Sequence, residues 1–371
     1  MSRRLKLLVI AGARPNFMKV APLMKMISRH NSCKENGGPT IDAKLVHTGQ
    51  HYDEAMSAVF FRELGIQPPD INLGVGSGSH AVQTARIMTG FEAVREQEKP
   101  DWVVVVGDVN STMACTLVCS KTEVRVAHVE AGLRSFDRTM PEEVNRLVTD
   151  GLADLLLTPS ADADENLRRE GVPDSKVKLV GNVMIDTLVA NLEKARSVHL
   201  PKTLGLEKGH FVYVTLHRPS NVDNQKSLAT IMTELKRLAG EVPVVFPIHP
   251  RTRKMCAQFG ISLNHAEGLK ILEPLGYHDS LYLTENARLV LTDSGGLQEE
   301  STYFRTPCLT LRPNTERPIT IAVGSNKLTS LKTLAADIDE VFKREPRYGQ
   351  IPPLWDGQTA GRIIDGIVTR S

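Results

Sequence analysis

The chain contains no stretch near the ~20 consecutive apolar residues that a membrane-spanning helix requires, so no membrane helix is expected. Cysteine is sparse. Cys33, Cys115, Cys119, Cys256 and Cys308 are odd in number and show neither CxxC nor metal-ligand spacing, so they read as free thiols. Charge of one sign is also missing: 45 Lys and Arg against 43 Asp and Glu leave a net +2, too little for a nucleic-acid-binding surface. No GxGxxG fingerprint closes the first apolar run, which argues against a nicotinamide-dependent enzyme. The opening MSRRLKLLVIAGARP has the basic start of a secretory signal. Its apolar run is too short and leads into a strand-to-helix turn, so a cytoplasmic location is expected.

What is present is globular. Hydrophobic residues make up 41% and charged residues 24%, and 371 residues exceed what one core usually supports. Short β-branched runs alternate with amphipathic helical patterns throughout, which predicts an α/β fold with parallel sheets covered on both faces. In the first half the strands read LKLLVIAG, AKLVHTG, DWVVVVGD, VRVAHVE, DLLLTPS and VKLVGN; in the second, HFVYVTLH, VPVVFPIH, LKILEP, ARLVLTDS and TPCLTLR. Two facing Rossmann-like domains follow, residues 1–181 and 182–356, with the boundary at Gly181–Asn182 before the helix VMIDTLVANLEKARS. PPLWDGQ reads as a hinge, and the terminal helix within 357–371 as a return to the first domain.

In open parallel sheets ligands sit beyond the carboxyl ends of the strands. With the sheets facing, a deep cleft between the domains is expected. The first strand delivers GARPNFMK, placing Arg14 and Lys19 at a helix start where free amides and cations suit a diphosphate. Gly107-Asp108 and Glu130 end apolar strands, where a carboxylate is costly unless paired or functional. Pro141-Glu142-Glu143 opens a helix, and because neighbouring helical residues diverge by about 100° only one of the two glutamates should face the cleft. His217 with Arg218, and His249, end strands of the second half. LVLTDSGGLQEE presents a strand, a tight turn at Ser294, Gly295 and Gly296, and a helix from about Leu297 that can receive a phosphate, with Glu300 one turn in to accept from ribose. Helix caps, loop anchors and solvated helix starts remain the alternatives at each of these positions. GVGSGS, after the polar PPDINL, reads as a flexible connection. His47 and His51 have i, i+4 spacing but enclose Gly49, and Asp162-Ala-Asp164 reads as a helix cap. No metal and no cofactor are expected.

Taken in order, GARPNFMK, HTGQHYDE, GDVNST, HVEAGLRSFDRTMPEEVNR, GNVMIDTL, TLHRPSN, DSGGLQEE and TERP closely resemble the non-hydrolysing UDP-N-acetylglucosamine 2-epimerases. The resemblance implies a glycosyltransferase-B type fold, a homodimer and interconversion of UDP-N-acetylglucosamine with UDP-N-acetylmannosamine. By motif it implies Asp108, Glu130 and Glu142 as catalytic carboxylates and His217 as the histidine near the diphosphate and sugar. Arg14, Lys19, Ser294, Gly295, Gly296, Glu300 and Arg317 fall on nucleotide-binding positions; Arg134 and Arg218 complete the substrate-binding candidates. HRPSN stands where substrate-activated members carry HRREN, which argues against allosteric activation. GARP and RSFDRTMPEE also resemble the branch acting on UDP-2,3-diacetamido-2,3-dideoxyglucuronate.

The chemistry needs these residue types. The sugar C2–H adjoins an acetal carbon, so a carboxylate of ordinary pKa near 4 cannot make a discrete carbanion there. Early rupture of the C1–O bond to UDP acidifies C2–H and allows elimination to a 2-acetamidoglucal; UDP then re-adds with protonation on the opposite face. Both faces require a proton-transfer group, hence several carboxylates, and domain closure would exclude water. Other readings are a glycosyltransferase, a hydrolysing epimerase, and a non-catalytic UDP-sugar-binding protein.

Overall fold

The computed structural model describes residues 4–33, 38–49, 65, 67–263 and 267–371. His51 and most of HTGQHYDE lie outside these residues. Two compact units make up the chain: Met1–Val189 with Pro353–Ser371, and Ala190–Pro352. The division therefore falls inside the connecting helix Val183–Arg196, eight residues beyond the boundary expected from the glycine at 181. Gly181 has a packing reason to be glycine. It takes a φ of +92°, and a Cβ there would meet the Leu354 carbonyl oxygen at 2.2 Å, a left-handed conformation and an approach that other residues do not tolerate.

The first unit holds a seven-stranded, wholly parallel sheet in the order β3-β2-β1-β4-β5-β6-β7. Its strands are β1 (Arg4–Ala11), β2 (Thr40–His47), β3 (Ile71–Asn72), β4 (Trp102–Val106), β5 (Arg125–Val129), β6 (Leu155–Thr158) and β7 (Val177–Leu179). The β-branched run of β4 is buried along its whole length, as expected of a central parallel strand covered on both faces. Leu8, Ile10, Val103, Val105, Ile87 and Phe91 anchor one core cluster. Ile71 and Asn72 add an edge strand where the sequence reads as a polar loop, too short and too polar to signal itself. GVGSGS then connects β3 to the helix His80–Glu98, its backbone tied to the end of β2 through Val75 N–H to Thr48 O at 3.1 Å and Gly76 N–H to Gly49 O at 2.9 Å.

The C-terminal helix Thr359–Thr369 belongs to this unit and packs beside the helix α1 (Arg14–Ser32). Asp186 caps it, accepting from Thr359 N–H at 3.0 Å and Ala360 N–H at 2.7 Å, while Arg362 donates to the Val180 carbonyl at 2.6 Å.

The second unit repeats the topology with six parallel strands in the order β10-β9-β8-β11-β12-β13. These are β8 (Val212–Thr215), β9 (Val244–Pro247), β10 (Leu269–Leu272), β11 (Leu289–Thr292), β12 (Cys308–Leu311) and β13 (Asn326–Thr329). β13, reading NKLT, is absent from the strands legible in the sequence. In both sheets the chain runs from a central strand to one edge and then restarts beside that strand. The reversal lies between β1 and β4 in the first unit and between β8 and β11 in the second, so the loops leaving these strands diverge and open a crevice at their carboxyl ends.

Candidate functional site

At the first reversal the β1 loop enters α1, with Arg14 as its first helical residue and Pro15 setting the opening turn. Asn16, 2% exposed, locks this corner. Its side-chain oxygen accepts from Gly12 and Ala13 N–H, both at 2.9 Å, and its amide donates to Val106 O at 3.1 Å, joining the ends of β1 and β4. One turn further, the buried Lys19 forms an ion pair with Glu130. Gly107 lies against that pair: its φ is +68°, and a Cβ would sit 2.9 Å from Lys19 Nζ and 3.5 Å from a Glu130 oxygen. Glu130 itself has a φ of +75°, an uncommon backbone state for a residue with a side chain and one concentrated at functional sites. The structure thus brings Lys19 to a catalytic candidate, Glu130, rather than leaving it as a bare cation.

Asp108 follows Gly107 and is partly exposed. The buried Arg146 binds it through Nη1 and binds Glu143 through Nε and Nη2 at 3.0 and 2.7 Å. Asn145 donates to the Asp108 carbonyl at 2.8 Å. Glu142 and Glu143, in the first turn of the helix Pro141–Leu152, separate cleanly: Glu142 is exposed and Glu143 buried. Glu143 anchors the preceding loop, accepting from Ser135 and Phe136 N–H at 2.9 Å each. Burial alone would raise its pKa, but those amides and Arg146 hold it below the usual carboxylate range. Arg134 is 2% exposed. It donates to Glu170 at 2.7 and 2.6 Å, to Asp150 at 2.7 Å and to the Leu133 carbonyl at 2.7 Å. The sequence expectation of substrate contact therefore meets a guanidinium committed to the protein interior.

At the second unit's reversal Asp293, fully buried, organises the loop after β8. Its carboxylate accepts from His217 N–H at 3.1 Å, Arg218 N–H at 2.9 Å and the Asn221 amide at 3.0 Å, and from His217 Nδ1 at 2.8 Å. These donors, the imidazole foremost, keep Asp293 below the ordinary range although burial acts to raise it. With Nδ1 engaged, His217 turns its other nitrogen outward on a side chain that is 43% exposed. Arg218 Nε donates to Asp293 O at 3.1 Å. His249 lies beside His217 with ring centroids 5.7 Å apart and the rings tilted by 43°; burial and the neighbouring imidazole lower its pKa.

Ser294 precedes the helix Gly295–Phe304, which begins two residues earlier than the sequence suggests, because both glycines join its first turn. The Ser294 hydroxyl makes no capping bond, and a Cβ on Gly296 would meet nothing within 4 Å. Amide donors at a helix start with open space in front suit an anion. Arg317 lies against Gly295 and is held by Glu299 at 2.6 Å and Glu316 at 2.5 Å. Burial and the Glu299 charge push the Glu300 carboxyl up to about 8, beside the Tyr277 hydroxyl.

Asn16, Arg146, His128, Asp150 and Asp293 escape the sequence reading. Arg146 had a signal in its i, i+3 spacing from Glu143. Asp293 had one too, as a charged residue ending an apolar strand. Among the described residues, no group of three or more His, Cys, Asp and Glu could hold a metal ion, and no helix is long and apolar enough to cross a membrane.

A sequence model described as UDP-N-acetylglucosamine 2-epimerase matches residues 33–368. The UDP-N-acetylglucosamine 2-epimerase of Methanocaldococcus jannaschii is 40% identical over 97% of this chain and 98% of its own. The UDP-2,3-diacetamido-2,3-dideoxy-D-glucuronate 2-epimerase of Pseudomonas aeruginosa is also 40% identical, over 87% of this chain and 88% of its own. A crystal structure of the M. jannaschii enzyme in complex with UDP-GlcNAc and UDP superposes with a TM-score of 0.86, covering 99% of this chain and all of that one at 39% identity. A lipopolysaccharide outer core galactosyltransferase, 16% identical with a TM-score of 0.54 and covering 99% of this chain and all of its own, shares the fold alone, which is of the glycosyltransferase-B type. By family match, identity and fold together, the chain belongs to the UDP-N-acetylglucosamine 2-epimerase family of isomerases.

Proposed function

We propose that the protein interconverts UDP-N-acetylglucosamine and UDP-N-acetylmannosamine at C2, by eliminating UDP to a 2-acetamidoglucal and adding it back, in the service of surface polysaccharide synthesis. It works as a homodimer, as the family resemblance implies, in the cytoplasm, as the short apolar run at its N-terminus suggests. The observation that carries this reading is the grouping at one sheet reversal of two carboxylates on adjacent strand ends, Asp108 and Glu130, each held by a buried cation, Arg146 and Lys19. Two proton-transfer groups are what a reaction that strips one face and protonates the other requires.

Asp108 removes the C2 proton in the forward direction, and its pairing with Arg146 fixes where its oxygens point. Glu130 and the exposed Glu142 protonate C2 or stabilise positive charge at C1. In the second unit His217, oriented by Asp293, and the Ser294-Gly295-Gly296 helix start hold the departing diphosphate and stabilise its charge. Arg14 adds a further cation to the nucleotide, and Glu300 takes the ribose hydroxyls.

A second reading, epimerisation of UDP-2,3-diacetamido-2,3-dideoxyglucuronate, is favoured by the equal identity to the Pseudomonas enzyme. That substrate needs a cation for its C6 carboxylate. Lys19, Arg134 and Arg146 are each already engaged by carboxylates, which supports the uncharged hexosamine as substrate. Incubating the protein separately with each UDP-sugar and following the anomeric protons by NMR distinguishes them. A new manno-configured product from UDP-N-acetylglucosamine is expected; turnover of the uronate alone would reverse the assignment.

A further inference from the structure

A buried pair outside the reacting groups ties the carboxylate-bearing loops together. His128, in β5, is 0% exposed. Its Nε2 lies 2.8 Å from the Gly107 carbonyl and its Nδ1 lies 2.6 Å from Asp150 Oδ1. A carbonyl oxygen can only accept, so Nε2 carries a proton. Nδ1 is the nitrogen that meets the Asp150 carboxyl group. Asp150 is 2% exposed, and its second oxygen accepts from Gly132 N–H at 3.0 Å and from Arg134 at 2.7 Å.

These bonds span two loops. One leads from β4 through Gly107 to Asp108. The other leads from β5 through Glu130 to Gly132, whose own freedom is removed on its far side: a Cβ there would meet the Ala163 carbonyl at 2.5 Å, and Asn166 donates to the Gly132 carbonyl at 3.0 Å. Both loops take left-handed backbone, with positive φ at Gly107, Glu130 and Gly132; at Glu130, which carries a side chain, such a state persists only where the surroundings over-determine it. Arg134 in turn ties the buried Asp150 to Glu170 at the surface.

We propose that the His128–Asp150 pair is a positioning clamp that sets the separation and aim of Asp108 and Glu130 by fixing the Gly107 turn against the Gly132 turn. Neither residue touches substrate. The proposal rests on the reading of Asp108 and Glu130 as proton-transfer groups. Its consequence is that loosening the clamp slows proton transfer without weakening the hold on the nucleotide, which is assigned to the second unit and Arg14.

The test uses the full-length protein with Asp150→Asn and, separately, His128→Gln. For each, the fraction of folded sites is counted by titration with UDP, and epimerisation and C2 deuterium incorporation from D₂O are measured per site. The expected result is a fall in kcat and in deuterium incorporation on the order of 10²-fold, as misplacement by about an ångström produces, with KM and UDP affinity unchanged. Folded variants with unchanged kcat would overturn the clamp. Should both variants fail to fold, ¹⁵N NMR of the ring-labelled wild-type protein decides: a histidine whose Nε2 carries a slowly exchanging proton supports the clamp, and absence of such a signal overturns it. Absence of turnover in the wild type would sink the proposed function, while the NMR signature still reports on the clamp.

Discussion

Single residues at the strand ends combine chemistry with left-handed backbone, and Gly107 shows how the two are linked. Alanine there keeps a positive φ at a cost of about 1–2 kcal/mol and places its methyl 2.9 Å from Lys19 Nζ, displacing the lysine from Glu130. Gly107→Ala should therefore lower the urea unfolding midpoint and reduce epimerisation by more than the loss of folded protein explains. Asp108→Asn tests the base itself. It should retain UDP binding while C2 exchange and epimerisation fall about 10²–10⁴-fold, the usual contribution of a positioned proton-transfer group; deuterium incorporation at the wild-type rate would remove Asp108 from that role.

Glu300 makes a prediction in pH. Its folded pKa of about 8 lies above the ordinary 4.5 because of burial and the Glu299 charge, so between these values the folded state binds more protons than the unfolded one. Stability from this group is complete below about 4.5 and is lost as pH rises through about 8, with a slope of up to about 1.4 kcal/mol per pH unit. Denaturant titrations across this window should show the decline, and Glu300→Gln should flatten it. At this scale the sequence reveals which positions carry chemistry, since a charge ending an apolar run is visible in one dimension. It does not reveal partners. The 100° divergence of Glu142 and Glu143 predicts that they separate, but which one turns inward depends on the Ser135 and Phe136 amides, brought close only by a loop.

Among elements, the helix starts carry most of the work and differ in how they are satisfied. The C-terminal helix takes its cap from Asp186, a residue 173 positions away, and no local pattern could announce that. Asp186→Ala should cost about 0.5–2 kcal/mol, the range for lost N-caps, and should speed amide hydrogen exchange at Thr359 and Ala360 first. The helix after Ser294 lacks a side-chain cap, which leaves its first amides for an anion. Most strands were legible because buried parallel strands read as continuous β-branched runs. Ile71–Asn72 and Asn326–Thr329 were not, being short edge strands whose pairing comes from a neighbour, Val46–His47 for one and Cys308–Leu311 for the other.

Across the whole molecule, two sheets built with the same central strand and the same reversal explain why the candidate residues fall into two sets. Asp108, Glu130 and Lys19 flank or adjoin the β1/β4 reversal, and His217 and Ser294 flank the β8/β11 reversal. The α/β class, the strand repetition and the family were all legible from alternation and motif order. The division inside Val183–Arg196 was not, because a helix shared by two units has no break in its periodicity. In the proposed reaction these groups exchange the C2 proton of a UDP-linked hexosamine. Incubation of the wild-type protein with UDP-N-acetylglucosamine in D₂O, followed by proton NMR, tests it most directly. UDP-N-acetylmannosamine carrying deuterium at C2 is expected, with deuterium entering the remaining UDP-N-acetylglucosamine as equilibrium is approached. Product that retains the original C2 proton, or no product at all, would contradict it.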